Sequence, residues 1–334
     1  MGKENLTAFV TGATGLLGSR LVSDLLQSGR KVIALKRVNS DTKLVKGLNQ
    51  NNFQWCEGDV TDIYSLLDGM KYADEVYHCA AAVDFDTRKT SYLYKVNVEG
   101  TANVVNAALE REVKKFCHAS SIATLGRPQD KETLTEDYRR EVSKKSIYAI
   151  TKFQAEREVW RGIAEGLNAA IVNPVIIIGP GDWKNDSSRI ISLIANGLKF
   201  FTRGNVSLVN VRDVSAVMIK LMDGNIFGER FIVSSGDCSY SEFFKLITDC
   251  LGLDPPDFEL KKWMLEIAWR ADALKSFMFN EPHIITKEIS EALFKNYTIS
   301  NKKITERLNY NFMSLKDSID EVCKEYLKQE IQLF

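Results

Sequence analysis

Several features that would assign a protein to a particular role are scarce in this sequence. It has only three histidines, His78, His118 and His283, and their wide spacing predicts no metal site. Lysine plus arginine and aspartate plus glutamate both number 44, so the net charge is zero and no field of one sign favours nucleic acid as a partner. No run of 18 apolar residues occurs, which argues against a membrane-spanning helix.

The six cysteines are scattered along the chain, and none forms a C-x-x-C pair. This pattern differs from a secreted disulfide scaffold and indicates free thiols. The charged N-terminus, Met-Gly-Lys-Glu-Asn, does not have the layout of a secretion signal. We therefore expect a cytoplasmic protein, whose 334 residues, 45% hydrophobic and 26% charged, are typical of a globular fold of one large domain or two.

Short apolar runs alternate with helical patterns through the first half of the chain. The predicted helices begin near Leu17 and cover about 91–111 and 146–165; the predicted strands are 6–10, 32–35, 53–56, 75–80, 115–119 and 169–178. The strand runs are continuously apolar rather than alternating, which is typical of strands buried on both faces of a parallel sheet. Repeated βα units of this kind predict an α/β fold with a doubly wound parallel sheet.

Three regularly spaced glycines follow the first strand. Gly12, Gly15 and Gly18 stand between a strand that ends at Val10 and a helix with leucines at helical spacing. A dinucleotide pyrophosphate needs close approach of the backbone and a helix N-terminus directed at it, and this turn supplies both. A purely structural turn is the alternative, but the strand, turn and helix context favours a dinucleotide site.

Five motifs occur in an order typical of one superfamily. They are the G-x-x-G-x-x-G turn at 12–18, Gly58-Asp59-Val60, His78-Cys79-Ala80-Ala81, the N-V-x-G-T segment at 97–101, and Tyr148-x-x-x-Lys152. In these motifs, and over most of its length, the chain resembles the extended short-chain dehydrogenase/reductases, also called the NAD-dependent epimerase/dehydratase family. The resemblance implies a Rossmann fold in which the cofactor contacts are made by Gly12, Thr14, Gly15, Leu16, Leu17, Gly18, Arg37, Lys43, Asp59, Val60, Ala80, Tyr148, Lys152 and Pro174.

The strand and helix pattern changes after residue 181. We predict helices near 187–197 and 213–222, strands near 206–211 and 229–233, and a mostly helical tail from Ser241. We expect residues 1–180 to form the Rossmann domain, with part of 206–233 returning to it, and 181–334 to form mainly a smaller, mostly helical substrate lobe. An apolar stretch over 263–278 is expected to be a lid or lobe core, with contact to a membrane surface as the alternative.

The residues after the second strand indicate which cofactor binds. An acidic side chain there would accept hydrogen bonds from the ribose of NAD, but none occurs before Asp41. Arg37 can pair with the extra phosphate of NADP, and Lys36, Lys43 or Lys46 can add charge. We predict NADP(H) rather than NAD(H), with a solvated, lysine-rich loop as the alternative interpretation.

Tyr148 and Lys152 are four residues apart in a predicted helix, so both side chains project from one face. Reduction of a carbonyl by hydride leaves an alkoxide that needs a proton, and a tyrosine with a pKa of about 10 releases one poorly near neutrality. A lysine ammonium about 4 Å away would contribute at most roughly 4 kcal/mol and bring the Tyr148 pKa to about 7. The resemblance implies that Ser121, after the fifth strand, orients the carbonyl. Ser120 is the alternative, and both serines could be structural.

Five further residues have side chains that could do chemistry, but structural roles are favoured for them. His78 and His118 lie in apolar strands and are predicted to be hydrogen-bonded core residues rather than acids or bases. Cys79 and Cys117 are predicted to be small core residues rather than nucleophiles. For Arg212 a structural salt bridge is predicted, with substrate contact as the alternative.

The sequence favours one branch of the family that it resembles. Members that act on nucleotide sugars commonly carry Arg-Pro after the sixth strand, or an Asn three residues beyond that Arg; here Asn173-Pro174 is followed by Ile176, which we expect to be buried. Dehydratases also need an acidic pair beside the serine, where this chain has Ile122-Ala123. The segment 82–87 resembles the corresponding loop of the dihydroflavonol-reductase-like branch.

Together these features predict an NADPH-dependent carbonyl reductase or alcohol dehydrogenase, dihydroflavonol-reductase-like, that acts on a small organic ketone or aldehyde. A nucleotide-sugar epimerase or dehydratase is the alternative within the family. An NADP-binding redox sensor without turnover is the alternative from another class, although it would not need Ser121, Tyr148 and Lys152 together. The expected partner is a small-molecule substrate, with no nucleic acid, no integral membrane segment, and a homodimer as a possibility.

Overall fold

A computed structural model describes residues 6–48, 50–84, 87–126, 128–138, 146–183, 187–279, 290 and 292–331. Its strands are β1 (Thr7–Thr11), β2 (Lys31–Lys36), β3 (Phe53–Glu57), β4 (Glu75–His78), β5 (Lys115–Ala119), β6 (Thr133–Leu134), β7 (Ala169–Pro174), β8 (Ile176–Ile178), β9 (Phe200–Phe201), β10 (Asn205–Asn210), β11 (Glu229–Val233), β12 (Gly236–Ser239), β13 (Phe258–Glu259) and β14 (Thr298–Ile299). Its α-helices are α1 (Leu16–Gln27), α2 (Ile63–Gly69), α3 (Thr90–Leu93), α4 (Gly100–Glu110), α5 (Ile147–Ala164), α6 (Arg189–Ala195), α7 (Val211–Asp223), α8 (Tyr240–Leu251), α9 (Lys262–Phe279), α10 (Lys302–Leu308) and α11 (Leu315–Ile331).

Seven strands form one parallel sheet in the order β3-β2-β1-β4-β5-β7-β11. β4 and β7 are buried at every position, as expected for strands covered on both faces. The prediction of a doubly wound parallel sheet is confirmed. The strand order reverses between β1 and β4, and in such sheets ligands bind beyond the carboxyl ends of the strands at the point of reversal.

Helices cover both faces of this sheet. On one face α1 packs against α7, and their shared core includes Leu21 and Met218. On the other face α2, α4 and α5 enclose a core that contains Phe9, Val105 and Val159. The helix that carries Tyr148 and Lys152 is therefore fixed against the sheet by buried apolar contacts.

The apolar run predicted as one strand over 169–178 forms two strands in different sheets. β7 belongs to the central sheet, whereas β8 pairs with β10 in parallel and β10 pairs with β12 antiparallel. The prediction of a single strand is wrong because, after the amide of Val175 donates to the carbonyl oxygen of Val233 at 3.2 Å, Ile176–Ile178 pairs with β10 and not with the central sheet.

A third apolar core lies around this three-stranded sheet, where α6, α8 and α11 contribute buried side chains. Its members include Ile191, Val206, Phe243, Ile247 and Val322. β11 pairs with β7, so the chain returns to the central sheet at 229–233. The division into a Rossmann domain and a substrate lobe stays a prediction.

Some elements have no counterpart among the predicted ones. α2 begins after Asp62, whose carboxylate accepts from the amide of Tyr64 at 3.1 Å. An aspartate before a short apolar segment is a helix start signal, so the sequence contained the information. Short strand pairs β9 with β13 and β6 with β14 bring distant segments together, and their two-residue length leaves no periodicity to detect.

The apolar stretch near 263–278 lies on α9. Leu265 is buried, while Trp263 and Ile267 are 58% and 60% exposed, so this part of the helix is only partly covered. The side chains at 273–279 lie outside the described set, and the choice between lid and lobe core stays a prediction. Within the described ranges, no helix is both long and apolar enough to cross a membrane.

Candidate active site

The glycine turn lies at the carboxyl end of β1, where the strand order reverses. Gly12 has φ +68°, and a Cβ there would lie 2.6 Å from the amide nitrogen of Ala80, just beyond the end of β4. A Cβ at Gly18 would collide with the carbonyl oxygen of Gly12. Gly15 precedes α1, and no side chain caps the first amides of that helix. Because no side chain stands in the way, an anionic pyrophosphate can come close to the backbone amides of this turn and of the helix start.

A groove of about 230 Å³ opens in front of this turn. Seven of the predicted cofactor residues line it, namely Gly12, Thr14, Gly15, Arg37, Asp59, Val60 and Ala80. The groove lining does not include Leu16, Leu17, Gly18, Lys43, Tyr148, Lys152 or Pro174. Sequence reasoning missed Ser40, Tyr92 and Val96, which also line it. They carry no motif, and only the fold brings them to the groove.

Arg37 stands at one end of the groove and is exposed. A turn follows it, in which the amide of Arg37 donates to Ser40 Oγ at 3.1 Å. The neighbouring lysines are engaged: Lys36 lies 2.8 Å from a Glu57 carboxylate oxygen, and Lys43, outside the groove lining, lies 3.0 Å from Asp41. Lys46 lies outside the groove lining as well, so Arg37 is the cation of the expected cluster that lines the groove without an ion pair among the described residues.

Asp59 lines the groove, and it also holds its own loop. Its Oδ1 accepts from the amide and the hydroxyl of Thr61, both at 2.9 Å. Within the described part of the chain, the other oxygen, Oδ2, accepts no hydrogen bond. The carboxylate is therefore held in a fixed place while one oxygen stays able to accept from a ligand.

Asn97 connects the groove to the helix of the Tyr/Lys pair. It lies in a π-helical segment, Tyr94–Glu99, and its side chain accepts from the amide of Ala82 at 2.7 Å and donates to the Ala82 carbonyl at 3.0 Å. Its Nδ2 also donates to Thr151 Oγ1 at 3.1 Å. The N-V-x-G-T motif thus fixes the loop after β4 against α5, a role that sequence reasoning did not assign.

Tyr148 and Lys152 lie in the first turns of α5, which begins after Ser146. Ser146 Oγ accepts from the amide of Ala149 at 3.1 Å and so caps the helix. The Ser121 and Tyr148 side chains lie close enough together for the Ser121 hydroxyl to affect the pKa of the phenol. Lys152 is 2% exposed, and its Nζ donates to the carbonyl oxygen of Ala119 at 2.9 Å. The structure therefore brings the three predicted catalytic residues together.

Burial governs the protonation of this pair. It raises the pKa of Tyr148, and the Ser121 hydroxyl opposes that rise only in part. Burial lowers the pKa of Lys152 to about 8, while the charge of Glu156 acts in the opposite direction. The prediction that Lys152 brings the Tyr148 pKa to about 7 is wrong in this structure, because desolvation dominates and the amine donates to a backbone carbonyl instead.

Ser120 points away from Ser121, as predicted, and its Oγ donates to the buried carboxylate of Glu156 at 2.6 Å. His78 is a hydrogen-bonded core residue, with ring nitrogens 2.7 Å from Thr11 Oγ1 and 2.9 Å from Thr101 Oγ1.

His118 is buried beside His78, with ring centroids 5.0 Å apart, but neither of its nitrogens has a hydrogen-bond partner within the described part of the chain. The prediction of a hydrogen-bonded His118 is therefore not met. Burial lowers the pKa of both histidines and raises that of the Cys79 and Cys117 thiols, which fits core residues rather than acids, bases or nucleophiles.

Two expectations about the substrate side have different outcomes. Arg212 forms an ion pair with Glu321, so the predicted structural salt bridge is present. Ile176, expected to be buried, is 46% exposed, because it begins β8 just after the chain leaves the central sheet. Its side chain still offers no hydrogen bond. Asn173 is fully buried and donates within the protein, to Glu156 and Thr124.

A doubly wound parallel sheet with a glycine turn at its point of reversal is the architecture of the dinucleotide-binding Rossmann proteins. The model of the NAD dependent epimerase/dehydratase family matches residues 8–232. The chain belongs to this family, and it is an NAD(P)-dependent enzyme as the family and its relatives are.

Similar proteins cover nearly the same length. Sterol demethylase protein B of Methylococcus capsulatus is 32% identical over 279 residues, which are 82% of this chain and 84% of that protein. A putative dihydroflavonol 4-reductase of Synechocystis sp. is 27% identical over 306 residues, 89% and 88% of the two chains. The solved structure of gox2253 superimposes with a TM-score of 0.83 at 27% identity, over 97% of this chain and 98% of that one.

Proposed function

We propose that the protein is an NADPH-dependent oxidoreductase that interconverts a carbonyl group and an alcohol on a small, largely apolar organic molecule. The observation that carries the proposal is the joint placement of Ser121, Tyr148 and Lys152. The two hydroxyls lie close to each other, and a buried amine lies one helical turn from the phenol. This set can bind and protonate the oxygen of a carbonyl.

The residues of the groove fit a dinucleotide. A side chain at Gly12 would fill the close approach between β1 and β4, and the uncapped start of α1 offers amides to a pyrophosphate. When bound, the cofactor supplies a hydride to the carbonyl carbon. Ser121 donates a hydrogen bond to the carbonyl oxygen, and Tyr148 passes its proton to that oxygen as the alkoxide forms. Lys152 makes no contribution to the Tyr148 pKa in this structure, so its proposed role is that it would donate to the ribose hydroxyls of the bound cofactor and fix the ring beside Tyr148.

The preference for NADPH is proposed from Arg37. It lines the groove, it is exposed, and its neighbours Lys36 and Lys43 are paired with acidic side chains. A guanidinium can make two parallel hydrogen bonds to a phosphate, which the cofactor NAD lacks at its adenosine ribose. Ser40 Oγ lies beside it in the same turn and can add a further hydrogen bond.

The apolar character of the substrate is proposed from the residues beyond the strand ends. Val83 follows β4 and is 64% exposed, and Ile176 follows β7 and is 46% exposed. Ile122 and Ala123 stand beside Ser121 at the position where elimination would need an acidic pair. The names of the relatives, a sterol demethylase protein and a putative dihydroflavonol 4-reductase, agree with a ring-containing apolar substrate.

The test is a turnover assay followed at the nicotinamide absorbance band. The protein is mixed with NADPH or NADH and with two panels, one of apolar ketones and aldehydes and one of UDP-sugars. We expect oxidation of NADPH with a carbonyl compound, a higher kcat/KM for NADPH than for NADH, and no epimerisation of the sugars. For Tyr148→Phe we expect a loss in kcat of about a thousandfold, since the proton donor is gone. Near wild-type turnover in that variant would refute the mechanism, and conversion of a UDP-sugar would support the epimerase alternative.

A further inference from the structure

α5 carries a third polar side chain that points into the protein, one turn beyond Lys152. Glu156 is 2% exposed. Its Oε2 lies 2.6 Å from Ser120 Oγ, 2.8 Å from Thr124 Oγ1 and 2.8 Å from Asn173 Nδ2. A buried carboxylate is costly unless donors surround it, and here three side chains from two other segments converge on one oxygen.

Two of these side chains also contact the backbone of Ser121, and Thr124 shares its single hydroxyl hydrogen between Glu156 and the Ser121 carbonyl oxygen. Thr124 Oγ1 lies 2.9 Å from the Ser121 carbonyl oxygen, and Asn173 Nδ2 lies 3.2 Å from the same oxygen. The turn from Ser121 to Thr124 is therefore connected through two side chains to Glu156. Because Glu156 and Tyr148 both lie on α5, this network connects the backbone of Ser121 to the helix that carries Tyr148.

The other carboxylate oxygen of Glu156 is anchored as well. Oε1 accepts from Trp160 Nε1 and from Arg230 Nη1, both at 3.3 Å. Arg230 lies on β11 and donates in addition to the carbonyl oxygen of Glu136. The carboxylate thus has donors on both oxygens, and its position is fixed by groups on the sheet and on its own helix.

We propose that Glu156 is a positioning residue, which locks the turn at 121–124 against α5 and so sets the place of the Ser121 hydroxyl relative to Tyr148. This inference rests on the proposed function, because it assigns Glu156 to the same reaction. The network uses a carboxylate because every partner donates a hydrogen bond to it. The amide nitrogen of a glutamine would face Asn173 Nδ2 on one side, or Trp160 and Arg230 on the other, and none of these groups can accept.

The first test is a double-mutant cycle between Glu156→Gln and Ser121→Ala. We expect Glu156→Gln to lower kcat about tenfold or more while the KM for NADPH changes less than twofold, since Glu156 does not line the cofactor groove. In the Ser121→Ala background the same substitution is expected to have an effect below twofold, because the residue through which it acts is gone. Losses that multiply would overturn the proposal and indicate a general structural role.

The matched control is Glu158→Gln on the same helix, whose partner Arg161 lies 2.9 Å away near the surface. It is expected to leave kcat within twofold. A gentler pair of variants separates positioning from folding: Thr124→Ser keeps the hydroxyl and is expected to retain kcat, whereas Thr124→Val removes it and is expected to lose it about as Glu156→Gln does. Equal activity of the two would contradict the proposal.

A second readout does not depend on turnover. Amide hydrogen exchange is measured by mass spectrometry on a peptide that covers residues 117–125. We expect faster exchange in Glu156→Gln and Thr124→Val, and wild-type exchange in Thr124→Ser and Glu158→Gln. If the wild-type protein reduces no carbonyl compound, the proposed function fails while this measurement still decides the positioning, since unchanged exchange in Glu156→Gln would overturn it.

Discussion

The two cationic side chains assigned to the site, Arg37 and Lys152, have opposite surroundings, since Arg37 lines the groove and Lys152 lies outside its lining. Arg37 is exposed at the mouth of the groove, and water screens its charge. Lys152 is 2% exposed, and burial lowers its pKa to about 8. For the exposed residues, selectivity for NADPH over NADH depends on which basic side chain has no acidic partner. For the buried residue, the surroundings decide whether the charge exists at all.

Lys152→Met removes the buried charge, and we expect the largest effect from it. The ammonium would hold the cofactor ribose beside Tyr148, so kcat is expected to fall a hundredfold or more without it. The free energy of unfolding at pH 7 is expected to stay the same or rise, because a buried ammonium whose pKa is lowered opposes folding. Steady-state kinetics and urea denaturation measure the two quantities. A parallel loss of stability and activity would show that Lys152 is mainly structural.

Arg37→Ala removes the exposed charge, and a smaller, more selective effect is expected. A charged hydrogen bond to phosphate contributes about 2 kcal/mol, so the affinity for NADPH is expected to fall roughly thirtyfold. The affinity for NADH is expected to change less than threefold. Fluorescence titrations with both cofactors measure this. Equal losses for the two would contradict a phosphate contact.

The contrast between the two residues also explains how much could be predicted from the sequence. The glycine turn and Arg37 act through local backbone geometry and chain position, so a short motif is enough to find them. The protonation of Lys152 depends on what surrounds it, and a spacing of four residues cannot show burial. The Tyr148 pKa was mispredicted for this reason.

The same limit applies to the elements. β2 was predictable because its run of four apolar residues, Val32 to Leu35, is a local signal. The break between β7 and β8 depends on which strands receive each half, and those partners lie more than 30 residues further along the chain. The role of Glu156 could not be predicted from a motif, because its donors Ser120, Thr124 and Asn173 come from separate parts of the chain.

The pH dependence is expected to differ in sign between activity and stability. The kcat/KM for reduction is expected to fall above pH 8, by about tenfold per unit, as Lys152 loses its proton. The pKa of Lys152 is lower in the folded chain than the ordinary value of 10.5, so the unfolded chain binds more protons between about pH 8 and 10.5. Stability relative to Lys152→Met should therefore rise across that window. Denaturation of both proteins at pH 7 and 10 measures the difference between their free energies of unfolding. If that difference is the same at the two pH values, the fall of kcat/KM above pH 8 is not due to Lys152.

Lys43→Ala is the smallest change and tests the exposed residues most narrowly. Lys43 was predicted to contact the cofactor, but it is paired with Asp41, its side chain is 76% exposed, and it lies outside the groove lining. An exposed pair of this kind contributes little, because solvent and salt screen it. The affinity for NADPH is therefore expected to change less than twofold, against about thirtyfold for Arg37→Ala under the same salt conditions. A loss of similar size in both variants would mean that the loop moves Lys43 onto the phosphate when the cofactor binds, and that free charge at the mouth of the groove is not confined to Arg37.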